Sequence, residues 1–301
     1  MGKYLSLYIL ALIFSATNGI AASYVSLSSN EVVLFRCVLA FALQSVLFLF
    51  LKKGRFTCMQ HRRSLLFLVF AGVFQGFNWL FLFEAYATIG VSLGILLGYC
   101  GPVFVMMLSP VLFQERLTLP KIAGFCVVFF GVFLVNGDVL LEGSSTWGLF
   151  CGLIAAVFYA AMNICNKFAS EIDGMENSVI LFFSSAITVI LVQLSRQGFT
   201  MPAPTSSDIL PLLYLGLIST GIGNHFYFSS MKHLTAQTVA ACGYLEPVCA
   251  VILSAVLLHE AMTPLQLTGA ACILGGAMFC ELCQRQKAPT PIQQVSNVPR
   301  P

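Results

Sequence analysis

Apolar stretches fill this chain almost from end to end, and charged or Pro/Gly-rich breaks cut them into ten runs. They lie near residues 4–24, 32–51, 64–86, 91–113, 120–136, 147–168, 177–195, 208–229, 236–258 and 264–283. An α-helix needs about 20 predominantly apolar residues to cross a bilayer, and these runs meet that length. The pattern therefore predicts an all-α membrane protein with ten transmembrane helices, spans 1 to 10 in chain order. After Gln284 the chain turns polar, with Pro289, Pro291, Pro299 and Pro301, and residues 285–301 read as a disordered tail.

Composition narrows the class. Of 301 residues, 58% are hydrophobic and 9% charged, against about 25% charged in a soluble domain, and the mean hydropathy is +0.89. Ten spans use up the length and leave no room for a sizeable soluble domain. A net charge of +3, thinly spread, gives no nucleic-acid footprint. Most of the 11 cysteines fall inside apolar runs, where a thiol behaves as a small hydrophobe, so a disulfide framework is not expected. Cys280 and Cys283 form a lone CxxC, without the second pair or histidines that a structural zinc site requires. Neither metal nor cofactor is expected.

Lys and Arg collect in cytoplasmic loops. Placing the N-terminus inside puts every basic residue except Arg36 and Arg196 on the cytoplasmic side, and both termini there with them. Lys3 followed by an apolar run to Ala21-Ala22 has the outline of a secretory leader. An internal repeat argues that this segment is retained.

Shifting the sequence by 145 positions superimposes its halves without a gap over spans 3 to 5 and 8 to 10. The shift pairs Gly76 with Gly221, Gly98 with Gly243, Tyr99 with Tyr244, Pro102 with Pro247, Glu115 with Glu260, Thr118 with Thr263, Gly124 with Gly269 and Gly131 with Gly276. It also pairs Asn18 with Asn163, making span 1 the counterpart of span 6. Five spans per half is an odd number, so the second half must cross the membrane upside down. The expectation is two inverted five-helix repeats, residues 1–140 and 145–284, an arrangement that serves transporters by letting two halves rock about one central site.

The repeated Gly-Tyr-x-x-Pro, the Glu115-Arg116-x-Thr118 stretch with Gly124 and Gly131, and their second-half equivalents Pro247, Glu260, Thr263, Gly269 and Gly276 resemble the EamA-type drug/metabolite transporters over nearly the whole chain to about residue 283. The resemblance implies a ten-helix carrier of the bacterial inner membrane, moving small organic metabolites by alternating access. One departure is Ala261 where the first repeat has Arg116.

The same residues point to a binding site. Proline cannot donate to the helix ladder and displaces the carbonyl four residues earlier, so Pro102 frees Gly98 and Pro247 frees Gly243, both at mid-span. Paired broken spans at matching positions mark a carrier's binding site, and irregular backbone at that depth belongs beside a wet cavity. Candidate lining residues are Asn18 on span 1, Gln75, Asn78 and Trp79 on span 3, Tyr99 on span 4, Tyr159 and Asn163 on span 6, Asn224 and His225 on span 8, and Tyr244 on span 9. Together they form a chamber with ring-stacking walls and amide handles.

Glu246 stands out, one residue before Pro247. A carboxylate at mid-membrane costs roughly 2.5 kcal/mol or more on insertion scales, so it should meet a substrate amine or take up a coupling proton. Its repeat counterpart is Gly101, which makes any charge recognition one-sided. Arg36, Glu84 and Lys167 lie near span ends and read as snorkelling side chains, and Glu115 and Glu260 as loop architecture ahead of the N-caps Thr118 and Thr263. No phosphate-binding Gly-x-x-x-x-Gly-Lys-Ser/Thr loop occurs, and His61, His225, His233 and His259 are scattered over different segments. The sequence thus reads as a secondary transporter and not an enzyme. Its partners are the lipid bilayer, a small amine-bearing metabolite such as an aromatic amino acid or S-adenosylmethionine, and a coupling proton or counter-substrate.

Overall fold

A computed structural model describes residues 2–52, 58–113, 119–141, 146–169, 171–172, 174–197, 203–231, 233–234, 242–243 and 245–285. Every regular element among them is helical. In order they are α1 (Gly2–Ala16), α2 (Asn18–Ser23), α3 (Ser29–Lys52), a 3-10 turn Cys58–Gln60, α4 (Arg62–Ile89), α5 (Val91–Gly98), α6 (Gly101–Phe113), α7 (Leu119–Leu141), α8 (Thr146–Phe168) and α9 (Gly174–Gln197). There follow α10 (Ser206–Leu213), a π-helical stretch Tyr214–Ile222, α11 (Gly223–Met231), α12 (Leu245–Leu257) and α13 (Pro264–Arg285). Tyr244, the Glu115–Thr118 stretch and the proline-rich tail expected to be disordered lie outside the described residues.

Six helical stretches among the described residues are long and apolar enough to span a bilayer: Gly2–Ser23, Ser29–Phe50, Arg62–Ile89, Thr146–Phe168, Met175–Arg196 and Ser206–Tyr227. Shorter apolar stretches, Val91–Val105, Ile122–Leu134, Leu245–Leu257 and Pro264–Phe279, fall where the remaining four spans were expected.

The fourth expected span is broken as the sequence demands. α5 stops at Gly98, Tyr99 and Cys100 form a turn, and α6 starts at Gly101 with Pro102 second. A proline in the first turn has no N–H to leave unpaired, so it starts a helix at no cost in hydrogen bonds. In span 8 the structure departs from expectation. The run expected to be regular widens into π geometry over Tyr214–Ile222, and Thr220 Oγ1 donates to the Leu215 carbonyl five residues back at 2.7 Å. Gly216 and Gly221 lie here, each so close to α3 that an added Cβ would strike Leu39 or Leu43 at 2.4 Å.

α4 packs on α8 and α9, α1 on α11, the π stretch on α3, α5 on α8 and α12, and α7 on α13. Moving α3 along the chain by the repeat offset gives the bounds of α9. Two rims close the bundle. At the first, Phe168 meets Phe67 with ring centroids 5.0 Å apart, Glu171 accepts from Ser64 Oγ at 2.6 Å and lies 3.1 Å from His61 Nδ1. These neighbours hold the Glu171 carboxyl below the usual carboxylate range, the Ser64 hydrogen bond first. At the second rim, Asp208 accepts from the Ser26 N–H at 2.7 Å and Trp147 Nε1 donates to Glu84 at 3.3 Å.

Candidate functional site

Between the helices lies a cavity of about 750 Å³ with polar walls, within the usual range for small-molecule sites. Its lining reaches the first rim through Asn166, Lys167 and Asn177, and towards the second rim ends at Tyr86 and Ile95, three and four residues inside their helix ends. Another concavity, between α4 and α9, is apolar, with Leu65, Val69, Phe77, Ile187 and Leu191 in its walls. Such a surface suits lipid chains.

Glu246, second residue of α12, sits in the cavity wall. Its Oε1 accepts from Ser15 Oγ on α1 at 2.5 Å, and the Tyr99 hydroxyl hydrogen-bonds to the same carboxyl group. That hydroxyl also points at the Gly243 carbonyl, 3.3 Å away. Tyr99, in the turn that breaks span 4, therefore touches both the acid and the backbone just before α12. Pro102 lines the cavity and Pro247 is buried. Gly98 also lines the cavity, and Gly243 is half-buried with open space where a Cβ would stand.

The amides do several jobs. Asn78 Nδ2 donates to the Ala155 carbonyl at 2.8 Å, tying α4 to α8, and Gln75 Nε2 lies 3.5 Å from Asn78 Oδ1. Asn163 and Asn224 donate to carbonyls of their own helices, Tyr159 at 2.9 Å and Thr220 at 2.7 Å. Asn18 Oδ1 accepts from Ser219 Oγ at 2.5 Å. All five, with Tyr159, line the cavity. His225 is half-buried outside the lining, its ring 6.4 Å from Phe226.

Arg36 corrects a sequence expectation. It does not snorkel: it is 5% exposed and lines the cavity. Its guanidinium carbon stands 4.0 Å from the Trp79 ring centroid and 5.2 Å from that of Phe83. Its Nε donates to Thr220 Oγ1 at 2.8 Å. The π stretch places Thr220 and Ser219 on the cavity side, a known use of π geometry at functional sites. Trp79 is shared between Arg36 and Phe182, the latter at 5.9 Å. Lys167, also read as snorkelling, lines the cavity near the first rim. Residue counting from helix ends could not distinguish these two from surface charges. Ser15 and Thr220 gave no signal, because hydroxyls in apolar helices are common.

The profile of the EamA-like transporter family matches this chain twice, over residues 2–137 and 146–281. The chain belongs to the EamA-like transporter family. It is a multi-pass membrane protein and a transporter rather than an enzyme. This transporter is 24% identical over 282 residues to the uncharacterized transporter YxxF of Bacillus subtilis, covering 92% of this chain and 89% of that one. It is 31% identical over 184 residues to the probable amino-acid metabolite efflux pump of Salmonella typhimurium, covering 58% of this chain and 61% of that one. It is 30% identical over 199 residues to the probable terminal-alkyne amino-acid exporter of Streptantibioticus cattleyicolor, covering 63% and 65%. In fold it is similar to a solved crystal structure with a TM-score of 0.65 at 17% identity, over 95% of this chain and 99% of that one. Among its described residues, no group of three or more His, Cys, Asp or Glu side chains forms a metal site.

Proposed function

We propose that this protein is a secondary carrier of small amine-bearing metabolites, amino acids or adenosyl amino-acid derivatives, working by alternating access in a bacterial inner membrane. Ten spans form two inverted five-helix repeats, with both termini cytoplasmic. Support for the inversion comes from α7 and α13. A Cβ on Gly131 would stand 2.6 Å from the Gly269 carbonyl oxygen, and one on Gly276 would stand 3.0 Å from that of Gly124. The repeat offset exchanges these two contacts, and residue numbers rise along one helix as they fall along the other. Antiparallel helices related by a two-fold axis need that axis in the membrane plane, the relation between inverted repeats. Arg62, Arg63 and Lys167 gather at the first rim, in keeping with a cytoplasmic face there.

The observation that carries the substrate class is Glu246, an acid in the first turn of α12 held by Ser15 and Tyr99 inside a polar cavity. A carboxylate so placed offers a counter-charge to an ammonium group, or a place for a coupling proton. Two relatives are named for amino-acid export, which favours amino acids among amine-bearing cargo. The first rim, reached by Asn166 and Lys167, is then the open mouth of an inward-facing state.

The test is counterflow of labelled amino acids and S-adenosylmethionine in proteoliposomes. Uptake above protein-free vesicles is expected, and Glu246→Gln should slow it at least about tenfold, the scale of one charge-assisted contact. Equal rates in parent and variant would remove the carboxylate from recognition.

A further inference from the structure

The chamber holds a second fixed charge that the reading above leaves idle. Arg36 is buried, its plane set by Trp79 at 4.0 Å and its Nε occupied by Thr220 at 2.8 Å. A guanidinium has five N–H donors, and among the described residues this one spends a single donor, on Thr220. Among the described residues no acidic group lies in ion-pair contact with it, while the terminal amino groups belong to a side chain that lines the cavity. An unpaired cation at this depth is costly. Glu246 lines the same cavity, and the charges of the two residues act on one another, yet no salt bridge joins them.

We propose that Arg36 is the carboxylate-binding residue of the chamber, so that the cargo is a zwitterion held with its ammonium at Glu246 and its carboxylate on the fork of Arg36. The proposal rests on the transport reading above and adds to it the requirement for a carboxylate. A planar guanidinium matches a carboxylate through two parallel N–H···O bonds, and a pre-set plane loses little freedom on binding. With Lys167 out at the first rim, the two fixed charges inside the chamber are balanced by a zwitterion. A simple amine would leave Arg36 unpaired, and a simple acid would leave Glu246 so. The repeat places Leu181 opposite Arg36 and Gly101 opposite Glu246, so each charge occurs once and the cargo has one orientation.

Two matched sets of competitors test this against labelled amino-acid uptake in proteoliposomes: phenylalanine, phenethylamine and 3-phenylpropionate, then leucine, isoamylamine and 4-methylpentanoate. In the parent, each amino acid should compete at concentrations about tenfold or more below its one-charge analogues, the scale of losing one charge-assisted pair. Arg36→Gln should bring amino acid and amine to parity, and Arg36→Lys should fall between. Binding is read separately in a Trp147→Phe background, where Trp79 is the remaining tryptophan. Its emission should shift with phenylalanine and not with phenethylamine. Should Arg36→Gln fail to fold, the parent series and the emission titration decide alone. An amine that competes as well as its amino acid in the parent, or an unchanged ratio in Arg36→Gln, overturns the proposal and leaves amine transport standing. A parent that takes up none of the amino acids overturns both.

Discussion

The carboxylate of Glu260 holds the first turn of α5. Oε1 accepts from the Val91 N–H at 2.7 Å, and Oε2 accepts from the Ser92 N–H at 2.9 Å and from the Ser92 hydroxyl at 2.7 Å. A negative group on the free N–H groups of a helix start satisfies donors that have no partner within the helix and meets the positive end of its dipole. Glu260 follows α12, so it fastens the end of that helix over the start of α5, at the rim where the cavity lining stops.

Glu260→Ala removes this cap and should lower folding stability by about 1 kcal/mol, seen as a reduced Tm in detergent. Gly90 precedes Val91 with φ of 86°, and an added Cβ there would lie 2.9 Å from Glu260 Oε1. Gly90→Ala should therefore destabilise by a comparable or larger amount through backbone strain, about 1–2 kcal/mol. The two losses should add to less than their sum in the double variant, since both act on one contact.

The α7–α13 crossing supplies an internal control. Gly131→Ala forces a methyl towards the Gly269 carbonyl and the Cys272 side chain, whereas Gly275, on the same helix as Gly269, has nothing within 4 Å. Overpacking typically costs about 1–3 kcal/mol, while Gly→Ala in an open helix position gains up to about 1 kcal/mol. Opposite signs of the Tm change in Gly131→Ala and Gly275→Ala are expected.

Tyr99→Phe keeps the ring and removes the hydroxyl shared by Glu246 and the Gly243 carbonyl. A single hydrogen bond to a charged group is worth about 1.5–3 kcal/mol. Exchange of amino acids in proteoliposomes should slow about tenfold or more, and the lost bond should also lower the Tm in detergent.

Glu171 gives a pH signature at the first rim. Its carboxyl titrates below its ordinary value because Ser64 and His61 favour the charged form. A depressed folded pKa means that the stabilisation is fully present above the ordinary carboxylate range and disappears as the pH falls through the lower folded value. Tm measured from neutral pH down to about pH 3 should show parent and Glu171→Gln converging at the acid end of the scan.

Helix positions were largely legible in the sequence because membrane spans are written in length and hydropathy, and the break before Gly101 followed from one missing N–H at Pro102. The π stretch was not, since Gly216, Ser219, Thr220 and Gly221 suit either geometry and only packing against Leu39 and Leu43 separates them. Glu246 was legible as a charge inside an apolar run. Arg36 was not: it stands seven residues into α3, and whether such a side chain runs outward or folds inward depends on Trp79 and Thr220, which belong to distant segments. Glu260 was legible as a loop acid, but not its hold on Val91 and Ser92, which lie far back along the chain. Trp79 lines the cavity, and that its ring also supports Arg36 was not legible, because the two stand on different helices.

The exchanged glycines of α7 and α13 carry a consequence for energetics. In the proposed alternating-access cycle, a joint that maps onto itself when the two halves swap conformations makes equal contributions to both end states, so it can act as a pivot without tilting the balance. Whatever preference exists for one facing over the other must then originate in the parts that have no twin: the widened turn at Thr220, the lone guanidinium and the lone acid.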